Sequence, residues 1–185
     1  MNPWLERAYR YRGILMAPPY LFFLFVFAGE TEHDALIWPL GLAVFMTGVG
    51  IRVWAQIHLH YRLRTKKALT TTGPYSFVRN PIYIGNTLML LGLTIVSELL
   101  WFLPVMLVWC VVVYGFVTRR EEAHLTEKYG QPYVDYLHST SRWLPQFHVQ
   151  RLKPHLLRQF LVPSLLVETH CLLLLLPLIG KEFFE

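Results

Sequence analysis

Charge is what this sequence has least of. Only 16% of its 185 residues are Asp, Glu, Lys or Arg, where a soluble domain carries about a quarter. Several signatures of cofactor and hydrolase chemistry are missing too. There is no G-x-G-x-x-G, no Walker loop and no G-x-S-x-G, so none of those motifs carries a functional reading. The two cysteines, Cys110 and Cys171, lie inside apolar runs. They read as buried small hydrophobes, neither a disulfide nor a metal pair. Metal ligands are equally thin. His58 and His60 are spaced i, i+2 and point to different sides of a helix. Glu121-x-x-His124 is one copy of a half-site that needs two copies and further carboxylates. No metal is expected. Charge within the apolar blocks is scarce, which argues against a proton pump or ion carrier.

What the chain does have is apolar length. Hydrophobic residues make up 54% of it and the mean hydropathy is +0.37. The excess comes in five blocks, roughly 13–27, 35–57, 83–100, 101–117 and 162–179. A helix needs about 20 apolar residues to cross a bilayer. The fold expected is all-α and polytopic, with about five transmembrane helices. Pro18 and Pro19 should kink the first block. The third and fourth blocks meet near Glu98 as a tight helical hairpin. The fifth, which holds Glu168 and His170, fits a spanning helix or a bent or interfacial one. Three parts follow: membrane helices over 1–57, a core over 58–146, and a C-terminal segment over 147–185.

Lys and Arg set the orientation. Segments 1–12, 58–81 and 118–160 hold 3, 5 and 7 of them, 15 of the 17 in the chain. By the positive-inside rule these segments, and the N-terminus, are cytoplasmic. The net charge of +5 is therefore topology, and no nucleic-acid partner is expected. Trp4, Trp38, Trp54, Trp101 and Trp143 fall at or near block ends, where indoles favour the interface; Trp109 lies mid-block. Arg7, Arg10 and Arg12 before an apolar run also fit a cleaved signal peptide, which would leave the rest of the topology unchanged.

Two polar stretches remain between the blocks. In the first, "KKALTTTGPYSFVRNPIYIG", Gly73-Pro74 signals a turn. Pro81 pushes Asn80 into an extended conformation and suits the first turn of a helix. The loop should thus end at Asn80 and a helix begin at Pro81. A helix start gathers free N–H groups and partial positive charge, which suits an anionic ligand group. Arg79 adds a fork-shaped donor, and Tyr75 and Tyr83 offer faces for a base or a cation. A re-entrant connector with interfacial tyrosines explains the same residues. The second stretch begins as a helix continuing past Val117, with Glu121 and Glu122 just beyond the membrane edge. They suit a ribose diol or an ammonium group; a charge cluster with Arg119 and Arg120 is the plainer alternative. Gly130 should stop this helix and Pro132 restart it.

Taken in order, "LTTTGPYSFVRNPIYIG", a helical hairpin and "EEAHLTEKYGQPYVDYLHSTSRWLP" resemble the isoprenylcysteine carboxyl methyltransferase family, which also resembles the phospholipid N-methyltransferases. The matching positions are Gly73, Tyr75, Arg79, Pro81, Tyr83, Gly85, Glu121, Glu122, Tyr129, Gly130, Tyr133, Tyr136, Arg142 and Pro145, within about residues 58–146. The resemblance implies S-adenosyl-L-methionine as methyl donor, a cytoplasmic cofactor pocket, and a membrane-embedded lipid, isoprenoid or prenylcysteine acceptor. Carried over by position, cofactor contacts fall on Leu69, Thr70, Tyr75, Asn80, Pro81, Ile82, Tyr83 and Glu121. His60 and Lys67 align outside the motif. Arg79 and Glu122 stand as catalytic candidates, with His124 or His60 as other bases for an amine or hydroxyl acceptor.

Two departures bear on the acceptor. Asn80 stands where the family has histidine. Val117 stands where the eukaryotic carboxyl methyltransferases place a substrate arginine, so Arg119 and Arg120 are the nearby substitutes. A sterol-type reductase using NADPH, and a non-catalytic membrane protein that kept the fold, are the alternatives. No obligate protein partner is evident.

Overall fold

The computed structural model describes residues 7, 10, 11, 14–26, 34–60, 68–146 and 154–182. Lys67 lies outside the described residues, as do Trp4 and Arg12. Every regular element among those described is helical. In chain order they are α1 (Ala17–Phe25), α2 (Asp34–His60), the single turn α3 (Pro74–Phe77), α4 (Pro81–Val96), α5 (Leu103–Tyr129), α6 (Gln131–Ser139), α7 (Pro154–Leu172) and α8 (Leu176–Glu182). Short 3-10 turns precede α1 and α5 and join α7 to α8.

Among the described residues, two helices are long and apolar enough to cross a membrane, Ala35–His60 and Leu100–Tyr129; Pro81–Val96 is apolar but shorter. The outward face of α5 is itself apolar. Val105, Val108, Val111, Val112 and Phe116 are exposed along it, a surface that suits lipid better than water. The first block departs from expectation. Its prolines do not kink a helix; they occupy the first turn of α1, where a missing N–H costs no bond. With 9 residues, α1 is only about 14 Å long at ~1.5 Å per residue. The last block is broken at 173–175 by a 3-10 turn.

The core is a seam between α2, α4 and α5. Phe45, Val49, Val53 and Ile57 line one face of α2 at four-residue spacing. They meet Met89, Leu93 and Val96 of α4 and Met106, Cys110, Val113 and Val117 of α5. Both cysteines are buried and free, as the apolar runs around them predicted. Glycine sets the distance between α2 and α4. A Cβ on Gly48 would lie 2.6 Å from the Gly85 carbonyl oxygen, and one on Gly92 would lie 2.6 Å from the Phe45 nitrogen. Two antiparallel helices therefore touch backbone to backbone through Gly41 and Gly92 at one end and Gly48 and Gly85 at the other. Small residues serve this purpose in lipid, where packing substitutes for the hydrophobic drive. The chain ends also join the bundle: the Tyr20 hydroxyl donates to the Leu174 carbonyl at 2.8 Å. Trp109, the mid-block tryptophan, donates its indole N–H to the Leu15 carbonyl at 2.9 Å.

Candidate cofactor and acceptor site

The loop before α4 is shaped by Gly73. Its φ is +64, and a Cβ there would lie 2.4 Å from the His58 ring. Conformation and space both require glycine at this position. One turn follows, closed by Ser76 N–H and its hydroxyl on the Gly73 carbonyl at 3.0 and 2.7 Å. That turn buries Tyr75. Asn80 then holds φ −124, non-helical as its place before proline requires. Helix α4 begins at Pro81, as the sequence predicts.

Across from this loop lies the chain after α5. Gly130, with φ +62, ends α5 and opens α6, the stop and restart read from the sequence. The returning segment pairs with the loop directly. Arg79 N–H donates to the Ser141 carbonyl at 2.9 Å and Gln146 N–H to the Phe77 carbonyl at 2.8 Å. Asn80 Nδ2 reaches the Arg142 carbonyl at 3.3 Å. The Tyr136 hydroxyl donates to the Tyr75 carbonyl at 2.6 Å. The two polar stretches thus form one structure.

A cavity of about 1000 Å³ opens between them and runs down among the helices. Leu69, Thr70 and Tyr75 line it from the loop, and Asn80, Pro81, Ile82 and Tyr83 from the start of α4. Glu121 lines it from α5, as do Arg120, Glu122 and His124, with Arg79 beside Asn80. Arg119 is exposed, and neither it nor His60, at the end of α2, is among the lining residues.

The paired glutamates have different surroundings. Glu121 is half-buried and accepts the Tyr83 hydroxyl at 2.7 Å. The Tyr83 ring in turn packs on Tyr114, with centroids 4.9 Å apart. Glu122 is buried and holds a fork–fork pair with Arg142, at 3.0 Å from Nε and 2.5 Å from Nη2. Arg79 Nη1 lies 3.5 Å from the same carboxylate. Its hydrogen bond to Glu122, more than any other influence, raises the Arg142 pKa. Burial pushes the phenols of Tyr75, Tyr133 and Tyr136 well above their ordinary range. For Tyr133 the Glu122 carboxylate adds to the rise. These three hydroxyls are therefore neutral hydrogen-bond donors at any physiological pH.

Two polar atoms in this wall are buried without a protein partner: Thr70 Oγ1 and Arg79 Nε. Buried polar groups are nearly always bonded, so each is a position where a ligand would complete the set. The chemistry suits S-adenosyl-L-methionine. Glu121 offers a carboxylate for a diol or ammonium, Arg79 a donor for a carboxylate, and Tyr75 and Tyr83 their aromatic rings.

Sequence reasoning missed the deeper wall. Arg52 and Gln56 of α2, Asn86 of α4 and Tyr114 of α5 also line the cavity. Arg52 makes a double contact with Glu168 of α7, Nε to Oε2 at 2.6 Å and Nη2 to Oε1 at 3.1 Å. A signal for it existed: Arg52 and Lys181 are the two basic residues outside the three Lys/Arg-rich segments.

Helices of membrane-crossing length and a part-polar cavity between them suit a membrane protein that binds a small molecule. The chain belongs to the phospholipid methyltransferase family, which matches residues 36–132. It is similar to the cobalt-zinc-cadmium resistance protein CzcN of Cupriavidus metallidurans, at 30% identity over 128 residues. That match covers 66% of this chain and 58% of the relative. It is also similar to the nickel-cobalt-cadmium resistance protein NccN of Alcaligenes xylosoxydans xylosoxydans, at 31% identity over 123 residues, covering 66% and 56%. The chain thus spans somewhat over half the length of these curated relatives. No solved structure matches it.

Proposed function

We propose that this protein transfers a methyl group from S-adenosyl-L-methionine to a membrane-embedded acceptor. The observation that carries the reading is one continuous cavity. Its polar end is built by Thr70, Arg79, Asn80 and Glu121, and its other end is walled by Met89, Leu90 and Leu93. Small-molecule sites commonly occupy about 300–1,000 Å³, so a cavity at the top of that range has room for a cofactor and part of a lipid together. Family membership favours methyl transfer over hydride transfer from NADPH. In this reading the chain crosses the membrane about five times, with its N-terminus and both polar stretches cytoplasmic.

When bound, the cofactor would supply an electrophilic methyl group on a sulfonium. The chain's task is then alignment and exclusion of water. Leu69, Thr70, Tyr75, Asn80, Pro81, Ile82 and Tyr83 would hold it, with Glu121 favouring its positive charge. Tyr83 orients Glu121 through their hydrogen bond. Glu122, with both oxygens already engaged by Arg142, serves better to hold Arg79 and Arg142 than to take a proton. His124 is then the base in reach for an amine or hydroxyl acceptor, and a carboxylate acceptor needs none. Arg120 lines the cavity and can meet an anionic headgroup; Arg119 would act from the exposed rim.

The metals in the relatives' names belong to those proteins and enter no step of this reading. Among the described residues, no group of three or more His, Cys, Asp or Glu is placed to hold an ion. The test is transfer of labelled methyl from S-adenosylmethionine into a membrane lipid extract by the purified protein. Counts in the organic phase, lost in Glu121→Ala, are the expected result. A folded protein that labels nothing across lipid extracts of several bacteria would contradict the reading.

A further inference from the structure

The apolar end of the cavity is only partly built by the stretch that matches the family. Met89, Leu90 and Leu93 lie within residues 36–132, but Met16, Cys171 and Leu174, which also line the cavity, come from the two terminal segments. Polar bonds fix those segments in place. The Tyr20 hydroxyl ties α1 to the Leu174 carbonyl, and the Arg52–Glu168 fork ties α7 to α2. Glu168 is only 1% exposed, and breaking such a buried pair is costly, so it sets which face of α7 turns inward. Cys171 lies on that face, its thiol 3.4 Å from Glu168 Oε2. The 3-10 turn at Leu173–Leu175 has about three residues per turn where an α-helix has about 3.6, which brings Leu174 back toward the line of Cys171. Leu172, Leu173 and Leu176 beside it are exposed, whereas Leu174 lines the cavity.

We propose that Met16, Cys171 and Leu174 form the wall against which the acceptor's hydrocarbon chain lies, and that the terminal segments thereby set which chain the protein accepts. The proposal rests on the reading that the cavity receives a membrane-borne acceptor beside the cofactor. Along α4 the cavity-lining residues run from Asn80 and Tyr83 through Asn86 to Met89, Leu90 and Leu93, so the lining turns from polar to apolar with depth. A ligand that is polar at one end and apolar at the other fits that order, with its tail at the end the terminal segments close. Flexible methionine side chains on both sides, Met16 and Met89, can follow the shape of such a tail. Room decides between one chain and two. The whole cavity measures about 1000 Å³, and a single small-molecule site takes about 300–1,000 Å³. With a cofactor in the polar end, the space left suits one hydrocarbon chain rather than a two-chain lipid.

Photolabelling of the whole chain in nanodiscs of phosphatidylethanolamine and phosphatidylglycerol tests this. The probe is hexadecanol carrying a mid-chain diazirine, and mass spectrometry maps the adducts. The expected result is adducts on the peptides holding Met16, Met89 or Leu174 that excess plain hexadecanol suppresses, even with two-chain lipid all around. Adducts on the outward face of α5, at the exposed Val105, Val108 and Val111, should resist that competition, because the probe there is one lipid among many. Leu174→Trp and, from the other segment, Met16→Trp should each cut the suppressible adducts about five-fold or more, the lower bound for overpacking a filled space. The α5 adducts should stay as they are, and Leu174→Ala should keep both sets. Adducts confined to α5, cavity adducts that hexadecanol fails to suppress, or suppressible adducts unchanged in both tryptophan variants would each overturn the proposal. Affinity for S-adenosylhomocysteine, measured on the same preparations, judges the cofactor reading separately. Its absence beside intact, suppressible cavity adducts would defeat that reading and leave the hydrocarbon site standing.

Discussion

At the mouth of the cavity, backbone does most of the work; at its floor, side chains do. The mouth joins residues 70–80 to 136–146 through carbonyls and amides, with glycine and proline setting the turns. The floor lies roughly 10 Å deeper, counting seven residues from Glu121 to Tyr114 at ~1.5 Å each. There, Arg52 of α2, Asn86 of α4 and Glu168 of α7 meet from three separate helices, with Tyr114 of α5 in the same cavity wall. The difference teaches where each region is vulnerable. The mouth has many modest bonds and half-exposed charges, so one loss is shared. The floor has few polar groups, and Arg52 engages both Glu168 and Asn86, so one loss falls on the others.

The sharpest way to break that contrast is Glu168→Ala. Removing one partner of a buried pair leaves the other uncompensated, at a cost of about 3–5 kcal/mol. We expect little folded protein in detergent, and much better recovery for the double change Arg52→Met with Glu168→Leu. A melting temperature for Glu168→Ala equal to the parent's would show that the pair carries no structural weight.

Next in size is the glycine seam. Gly48→Ala drives a methyl against the Gly85 carbonyl, and overpacking of this kind costs about 1–3 kcal/mol. Gly50→Ala, with nothing within 4 Å, should be neutral or gain up to about 1 kcal/mol in helix propensity. Melting curves of the two variants give the answer side by side; equal shifts would sink the close-contact account.

The smallest effect expected is on pH. Tyr75, Tyr133 and Tyr136 hold their phenols above the ordinary value of 10.0 because burial disfavours the phenolate. A raised folded pKa means their contribution to stability is full below about pH 10 and is lost as pH climbs through the folded values. Between pH 7 and 10 these groups should leave the melting temperature flat, with a fall only beyond. A decline already complete by pH 9, absent in Tyr136→Phe, would contradict the burial argument.

The same contrast governs what the sequence makes legible. At the mouth the signals are local: Gly73-Pro74, Asn80-Pro81 and Gly130 each dictate their own backbone, and the structure places turns and helix ends where they predict. The ordered motif brought Leu69 to Tyr83 and Glu121 into one list, and all of them line a single cavity. The floor could not be read that way. Arg52 and Glu168 are 116 residues apart, and no local pattern announces their pairing. Scarce charge in the apolar blocks argues against ion transport, and that same scarcity is what singles out Arg52. Glu122 shows the same limit: adjacent carboxylates look alike in sequence, and only folding gives one to Arg142 and the other to Tyr83. The α1 prolines misled for a different reason, since proline kinks a helix interior but fits a helix start.

One measurement tests the central claim most directly: calorimetric titration of S-adenosylhomocysteine into the detergent-purified protein, with NADPH in a parallel cell. The account predicts saturable binding of S-adenosylhomocysteine alone, weakened about ten-fold or more in Glu121→Ala and in Tyr83→Ala. Binding of NADPH instead, silence from both ligands in folded protein, or unchanged affinity in both variants would contradict it.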